Sequence, residues 1–364
     1  TTSGFKQEIQ KLGKSSILLG NRSMPLQLVL FVTSRCNMRC DHCFYLDEIN
    51  DSSRTELSIE QIETLAKELG GLNWVALSGG EPYLRKDLVE IKQAFYKHSR
   101  PNIMSHVTNG YYPDRISDMT GKMAASCSKS KVLVIFSLDG LQETHDQIRH
   151  SPGSFDLVRE SIQSVQKHQS DYPNLETGVV ITAQDNNQEE LIPLIEYIES
   201  KLMPDGIYIN LHRDHTQPSN VIVDSQVLMR YQEAVTFYES IRTKKNLKGR
   251  KLLDRLLDGK NKLQKRTIAK IAEENTYQLP CLAGKVSVVV DELGNVYACE
   301  LLKDPMGNLK NQSFKEIWFS EQARRLSDSI TQHKCYCTHE CAMSSSLLFN
   351  PGKLFQSMIS GVMT

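Results

Sequence analysis

Six apolar runs, each followed by a segment with helical spacing, constrain this chain more than any other feature. Leu26–Thr33 is a short apolar run, the mark of a buried strand. Ser58 then suits an N-cap, and Glu60 to Leu69 carries the spacing of a helix. The pair recurs as Trp74–Leu77 with Lys86–Lys97, Ile103–Val107 with Asp114–Ala125, and Val132–Leu138 with Phe155–His168. It recurs again as Val179–Thr182 with Gln188–Lys201, and Ile207–Leu211 with Gln226–Ile241. Strands alternating with helices predict a parallel sheet with right-handed crossovers. Six units curve toward a barrel but fall short of the eight that close one. The expected fold class is α/β: a partial, TIM-like (βα)6 barrel over residues 25–225, preceded by a segment 1–24. Functional groups in such folds gather on the loops after the C-terminal strand ends.

Past the sixth unit the pattern changes. Thr243–Gln278 is polar, Lys-rich and helical in spacing, and reads as part of a bridge over 226–276. Val286–Val290, a turn at Asp291–Asn295 and Val296–Cys299 predict a β-hairpin around Gly294. Phe314–Ser329 predicts a helix, and a cysteine-dense stretch, Cys335–Cys341, follows. These make a small α+β C-terminal domain over 277–364.

Charge narrows the function. Lys+Arg and Asp+Glu both number 43, so the formal net charge is zero and the basic excess of a nucleic-acid binder is missing. The basic stretch Lys244–Arg266 reads as a solvated helix face. No secretory signal is expected at the N-terminus, and no run reaches the ~18 apolar residues of a membrane span. Nine cysteines, clustered at short spacings, favour metal over disulfides and a reducing cytoplasm. Cys127 stands apart and reads as a small buried hydrophobe.

The first cluster is Cys36, Cys40 and Cys43, a C-x3-C-x2-C frame directly after a strand. A loop of this kind can wrap three thiolates around one iron–sulfur cubane. Three ligands leave one iron open, as a catalytic metal requires. A zinc knuckle completed by His42 or Asp41 is the competing reading.

The frame resembles that of the radical S-adenosylmethionine (SAM) superfamily, and the likeness covers most of the chain. It implies a four-iron cluster whose open iron chelates SAM. His42 stands where the family commonly has an aromatic residue near adenine. Gly79, Gly80 and Glu81 match the family's GGE motif, which implies contact with the SAM amino group. Gly lets backbone approach a ligand, and a carboxylate accepts from an ammonium. Asn109 lies in Thr108-Asn109-Gly110 after the third strand. Ser137 and Asp139 end the fourth strand, and Arg149 follows. The resemblance implies that Ser137, Asp139 and Arg149 contact the ribose and carboxylate of SAM, and an Arg fork suits a carboxylate.

The second group resembles the auxiliary-cluster extension called SPASM, or twitch in its short form. Cys281 and Cys299 flank the predicted hairpin in a C-x12-G-x4-C frame, and Cys335, Cys337 and Cys341 follow. Five cysteines imply one auxiliary four-iron cluster. Cys281, Cys299 and Cys341 are three expected ligands; Cys335 and Cys337 compete for the fourth place. A four-cysteine zinc site is the alternative.

Such enzymes form a 5′-deoxyadenosyl radical and abstract a hydrogen atom, and the likeness implies an electron donor such as flavodoxin or ferredoxin. An auxiliary cluster that accepts an electron favours net oxidation. Glu300, next to Cys299, is the candidate general base. Arg213, in a polar run His212–His215 after the sixth strand, is the candidate substrate contact. The expected substrate is a small molecule such as a carbohydrate or alcohol. Peptide maturation is the alternative, and a non-catalytic metal-binding module the third. The first strand at Leu26 leaves no room for a fused peptide-recognition domain of ~80 residues.

Overall fold

The computed structural model describes residues 23–350 except 52, 54, 214–217 and 246–251, together with 352. The segment 1–22 and two residues of the polar run, Asp214 and His215, lie outside the described residues. Strands β1 (Gln27–Thr33), β2 (Trp74–Gly79), β3 (Ile103–Thr108), β4 (Lys131–Ser137), β5 (Leu175–Ala183) and β6 (Gly206–Leu211) pair in parallel, each with the next. The partial barrel expected from the alternation is present.

Helices cover one face of this sheet. They are α1 (Ile59–Leu69), α2 (Leu88–His98), α3 (Pro113–Ser126), α4 (Gln142–Arg149), α5 (Ser154–Gln166), α6 (Leu191–Tyr197) and α7 (Ser225–Lys245). Local chemistry starts several of them. Ser58 and Gln61 form a capping box at α1, and Pro113 opens α3 where its missing N–H costs nothing. Leu28, Leu30, Val75, Leu77, Val132 and Val134 are buried toward the helices. A polar network is buried on the same side. Lys92 Nζ donates to His106 Nδ1 at 2.7 Å, and Tyr83 Oη sits 2.6 Å from His106 Nε2 and 2.5 Å from Thr120 Oγ1.

The hairpin expected after Val286 joins the barrel sheet edge to edge. β7 (Ser287–Val290) pairs in parallel with β1, and β8 (Asn295–Tyr297) and β9 (Gly307–Asn308) continue antiparallel. The order is β6-β5-β4-β3-β2-β1-β7-β8-β9. Gly294 turns the hairpin at φ 87°, and Asp291 Oδ1 accepts from the amides of Leu293 and Asn295.

Some elements differ from the sequence reading. α4 is absent from that reading because Gln142–Arg149 carries little apolar pattern, yet His145, Ile148 and Arg149 are buried. β5 starts at Leu175 rather than Val179; the polar Glu176 that hid its first residues pairs with Lys131 at 2.6 Å. The helix expected over Phe314–Ser329 is two, α9 (Phe314–Phe319) and α10 (Glu321–Gln332). Ser320 is extended between them, and its hydroxyl accepts from Ala323 N.

The bridge contains α8 (Leu252–Glu274), which packs on α11 (Glu340–Leu348). Of the basic side chains described on this stretch, Lys260 is buried, Lys262 and Lys265 are partly buried and Arg266 is exposed, so the expected solvated face holds only in part. Lys265 Nζ donates to Ile209 O at 2.5 Å on edge strand β6, and Ser219 N donates to Tyr336 O at 3.0 Å nearby. An edge strand covered in this way is withdrawn from intermolecular pairing.

Candidate active site

The C-terminal ends of β1 to β4 bring the first group of expected residues together. The loop after β1 is fastened to the one after β2: Gly80 N donates to Thr33 O and Glu81 N to Arg35 O, both at 2.8 Å. A Cβ on Gly79 would stand 2.3 Å from Thr33 O, and one on Gly80 2.3 Å from Arg35 O. The two glycines are thus required by loop-to-loop contact. Within the cysteine loop, Cys36 N donates to Asn50 Oδ1 and Asn50 Nδ2 donates back to Cys36 O. Burial pushes the Cys36 thiol up to about 12 and raises Cys43. Forming thiolates here therefore needs a cation or a metal.

Arg149 supplies one cation. Its Nη1 donates to Cys40 Sγ at 3.4 Å, its Nε to Asp139 Oδ2 at 2.8 Å, and its Nη2 to the same oxygen. The fork expected to face a free carboxylate is engaged by the protein. Asp139 also accepts from Thr182 N at 2.8 Å, so it ties α4 to β5. Ser137 is buried beside it. Glu81 accepts from Tyr83 N, Thr108 Oγ1 and Asn109 N at 2.7–3.1 Å. Burial outweighs those bonds and raises it to about 7. A carboxylate has about four acceptor sites, so capacity for one further donor remains. Asn109 Nδ2 donates to Asn37 Oδ1 at 2.9 Å, inside the cysteine loop. His42 Nδ1 is buried without a partner, and burial lowers the imidazole to about 4.

The second group is assembled from three separated segments. Cys281 precedes β7, Cys299 follows β8, and Cys335, Cys337 and Cys341 lead into α11. Burial raises all five thiols. Cys299 feels Cys337 and Cys281, and Cys337 feels Cys281 and Cys335. Cys335 and Cys337 both feel Cys281. Cys341 lies with Glu300, Arg213 and Lys260. Among the described residues no three His, Cys, Asp or Glu side chains are grouped to hold a single metal ion. A cubane puts each thiolate on a different iron and needs no such convergence.

Sequence comparison agrees with this division. The radical SAM superfamily model matches residues 30–198, and the SPASM model, an iron–sulfur cluster-binding domain, matches 281–342. The chain is a radical SAM enzyme with a C-terminal SPASM domain. The two domains imply SAM with a four-iron cluster and an auxiliary iron–sulfur cluster. It is 28% identical over 55% of its length to the Fe-coproporphyrin III synthase of Methanosarcina barkeri, of which it spans about half (47%). It is 24% identical to the subtilosin biosynthesis protein AlbA of Bacillus subtilis, over 90% of this chain and 72% of that one. With the mycofactocin maturase MftC of Mycolicibacterium smegmatis the figures are 27%, 86% and 76%. The structure of anSMEcpe with bound AdoMet and Cp18Cys peptide shares the fold at a TM-score of 0.59 and 18% identity, over 93% of this chain and 97% of that one.

The thiols present fit the clusters this radical SAM enzyme uses, since three at one site and five at the other are the soft donors iron–sulfur clusters take. The face of the sheet away from the helices is partly open. Val29, Ala76, Ile135 and Val180 are only partly buried there, and Val107 and Tyr208 are exposed. Parallel sheets normally cover both faces, so an open apolar face is room for an occupant. Arg213 stands at the seam. Its guanidinium carbon is 5.8 Å from the Phe44 ring of the cysteine loop, it acts electrostatically on Glu300 and Cys341, and its buried Nη1 has no hydrogen-bond partner among the described residues. Glu300 Oε1 is 2.9 Å from His339 Nε2. Burial would raise Glu300, but His339 and Arg213 prevail and hold it down to about 2. Sequence reasoning missed His339, Asn50 and Phe44. Only His339 carried a signal, its place within the second cysteine stretch.

Proposed function

We propose that this radical SAM enzyme oxidises a peptide substrate held in the open lumen between its two cysteine groups. The observation that carries this reading is the likeness to two peptide-pathway proteins, AlbA and MftC, over most of the chain. An AdoMet-dependent heme synthase of Methanosarcina barkeri matches over a similar share, 85% of this chain at 25% identity, so tetrapyrroles are the competing substrate in the test. The peptide reading replaces the small molecule expected from the sequence. The open apolar face supports it, because an extended peptide can enter where a closed pocket would exclude one.

Cys36, Cys40 and Cys43 hold the SAM cluster, and Cys281, Cys299 and Cys341, with Cys335 or Cys337, hold the auxiliary one. The cluster and SAM at the first site supply the 5′-deoxyadenosyl radical. Gly79, Gly80, Glu81, Asn109, Ser137 and the pair Asp139–Arg149 frame SAM, with His42 at its base. A peptide seated on this face would complete the enclosure that keeps water from the radical. Arg213 holds the substrate, with its open Nη1 as donor. Glu300, beside Cys299, accepts the proton the substrate loses, and His339 fixes one of its oxygens. Anaerobic reconstitution tests this. About eight irons per chain are expected, with 5′-deoxyadenosine on reduction. Peptides encoded beside the gene should become lighter by two hydrogens. Turnover of tetrapyrroles or sugars with no response to peptides would reject the peptide reading. Glu300→Gln should lose product while deoxyadenosine still forms.

A further inference from the structure

Among the described residues Lys260 makes no hydrogen bond to a carboxylate, and burial lowers its amine to about 8 although Glu340 acts to raise it. Its Nζ donates to Gln264 Oε1 at 2.9 Å and to Ser344 Oγ at 3.0 Å, both neutral acceptors. The nearest acid on the facing helix, Glu340, is already engaged. Lys265 Nζ meets its Oε1 at 2.7 Å, and Gln264 Nε2 meets its Oε2 at 2.5 Å. A buried charge normally has a countercharge, because leaving one unpaired in a low-dielectric interior costs several kcal/mol or more. Ser344 lies three residues after Cys341 on α11, so the two share a helix face, and Lys260 acts electrostatically on Cys341. Arg213, the other cation near this thiol, already faces Glu300.

We propose that Lys260 is the counter-cation of the auxiliary cluster and sets its reduction potential, making it the better electron acceptor. This rests on the reading above that Cys341 is a ligand of that cluster. Four thiolates make an iron–sulfur cluster a net anion, and cluster charge and nearby hydrogen bonding are among the factors that set its potential. Near neutral pH Lys260 carries its charge, and a positive charge one helix away favours the reduced, more negative state. Lys265 cannot substitute, since Glu340 neutralises it. The assignment gives the Lys-rich bridge helix a role beyond spacing: it carries a charge from the barrel side into the SPASM side.

The test is an EPR-monitored redox titration of the reconstituted full chain, comparing wild type with K260M, K260Q and K260R. K260M and K260Q should lower the potential of the auxiliary cluster by the equivalent of at least tenfold in its reduction equilibrium, about 59 mV for one electron. K260R should restore most of the difference, and the SAM-cluster potential should not move. Unchanged auxiliary potentials in both neutral variants would overturn the proposal. Loss of the auxiliary cluster in the neutral variants but not in K260R would support it. Loss in all three would assign Lys260 to packing and overturn it. A wild type holding about four irons would instead reject the two-cluster reading, and this inference with it.

Discussion

The two cysteine groups are built in opposite ways. The first is one loop after one strand, with its three thiols within eight residues and fastened by local backbone bonds to the next loop. The second gathers thiols from before β7, the end of β8, and the approach to and first turn of α11, with Cys337 buried and the other four partly buried. Its surrounding cations, Arg213 and Lys260, come from the loop after β6 and from α8. A local site can be specified by spacing alone. A composite site must be specified by the fold that brings its parts together.

The largest effects should separate the groups by what they abolish. Replacing Cys36 with Ala should eliminate deoxyadenosine formation entirely. Replacing Cys299 should lower iron from about eight to about four per chain and remove oxidised product, while SAM is still cleaved. Equal loss of SAM cleavage in both would erase the distinction. Next comes Asp139→Asn, which frees Arg149 from its anchor on the first site alone. Outer-shell changes of this type cost about 10–100-fold in activity or metal affinity, and single-turnover SAM cleavage would measure it.

Smaller again is Gly80→Ala. Its Cβ would collide with Arg35 O, so about 1–3 kcal/mol of stability should be lost, and a denaturant melt reads it directly. The last effect concerns pH and lies away from both groups. Burial lowers Lys92 from 10.5 to about 7. Between those values the unfolded chain binds a proton that the folded chain does not. This group's contribution to stability therefore rises with pH from about 7 toward 10.5 and is least favourable below 7. K92M should flatten that rise relative to wild type in thermal melts taken from pH 7 to 10. Parallel curves would assign the buried network a neutral role.

The same contrast explains what could be read in advance. The barrel was legible because alternating apolar runs and capping residues such as Ser58 are local signals. The first thiol triplet was legible for the same reason. Arg149 was foreseen as a cation in the site, yet its engagement by Asp139 and Cys40 was not, because α4 has little apolar stripe to reveal it. The Lys-rich bridge misled: charge run alone implies a wet face, and only the packing of α8 on α11 shows Lys260 inside. The fusion of the hairpin to β1 was likewise invisible, since no local feature of Ser287–Val290 names its partner strand.

That fusion bears on how the protein is made. Val29 of β1 has Ala76 as its neighbour on one side and Val289 on the other. The first flank can form early in synthesis; the second must wait until most of the chain has left the ribosome. Until then β1 presents an unpaired edge directly below the cysteine loop, and unpaired edges invite aggregation. Long-range pairing of this type also slows folding. The nascent chain should accordingly need protection over this interval, and the two metal centres should mature in sequence, the N-terminal one on a sheet that is not yet complete.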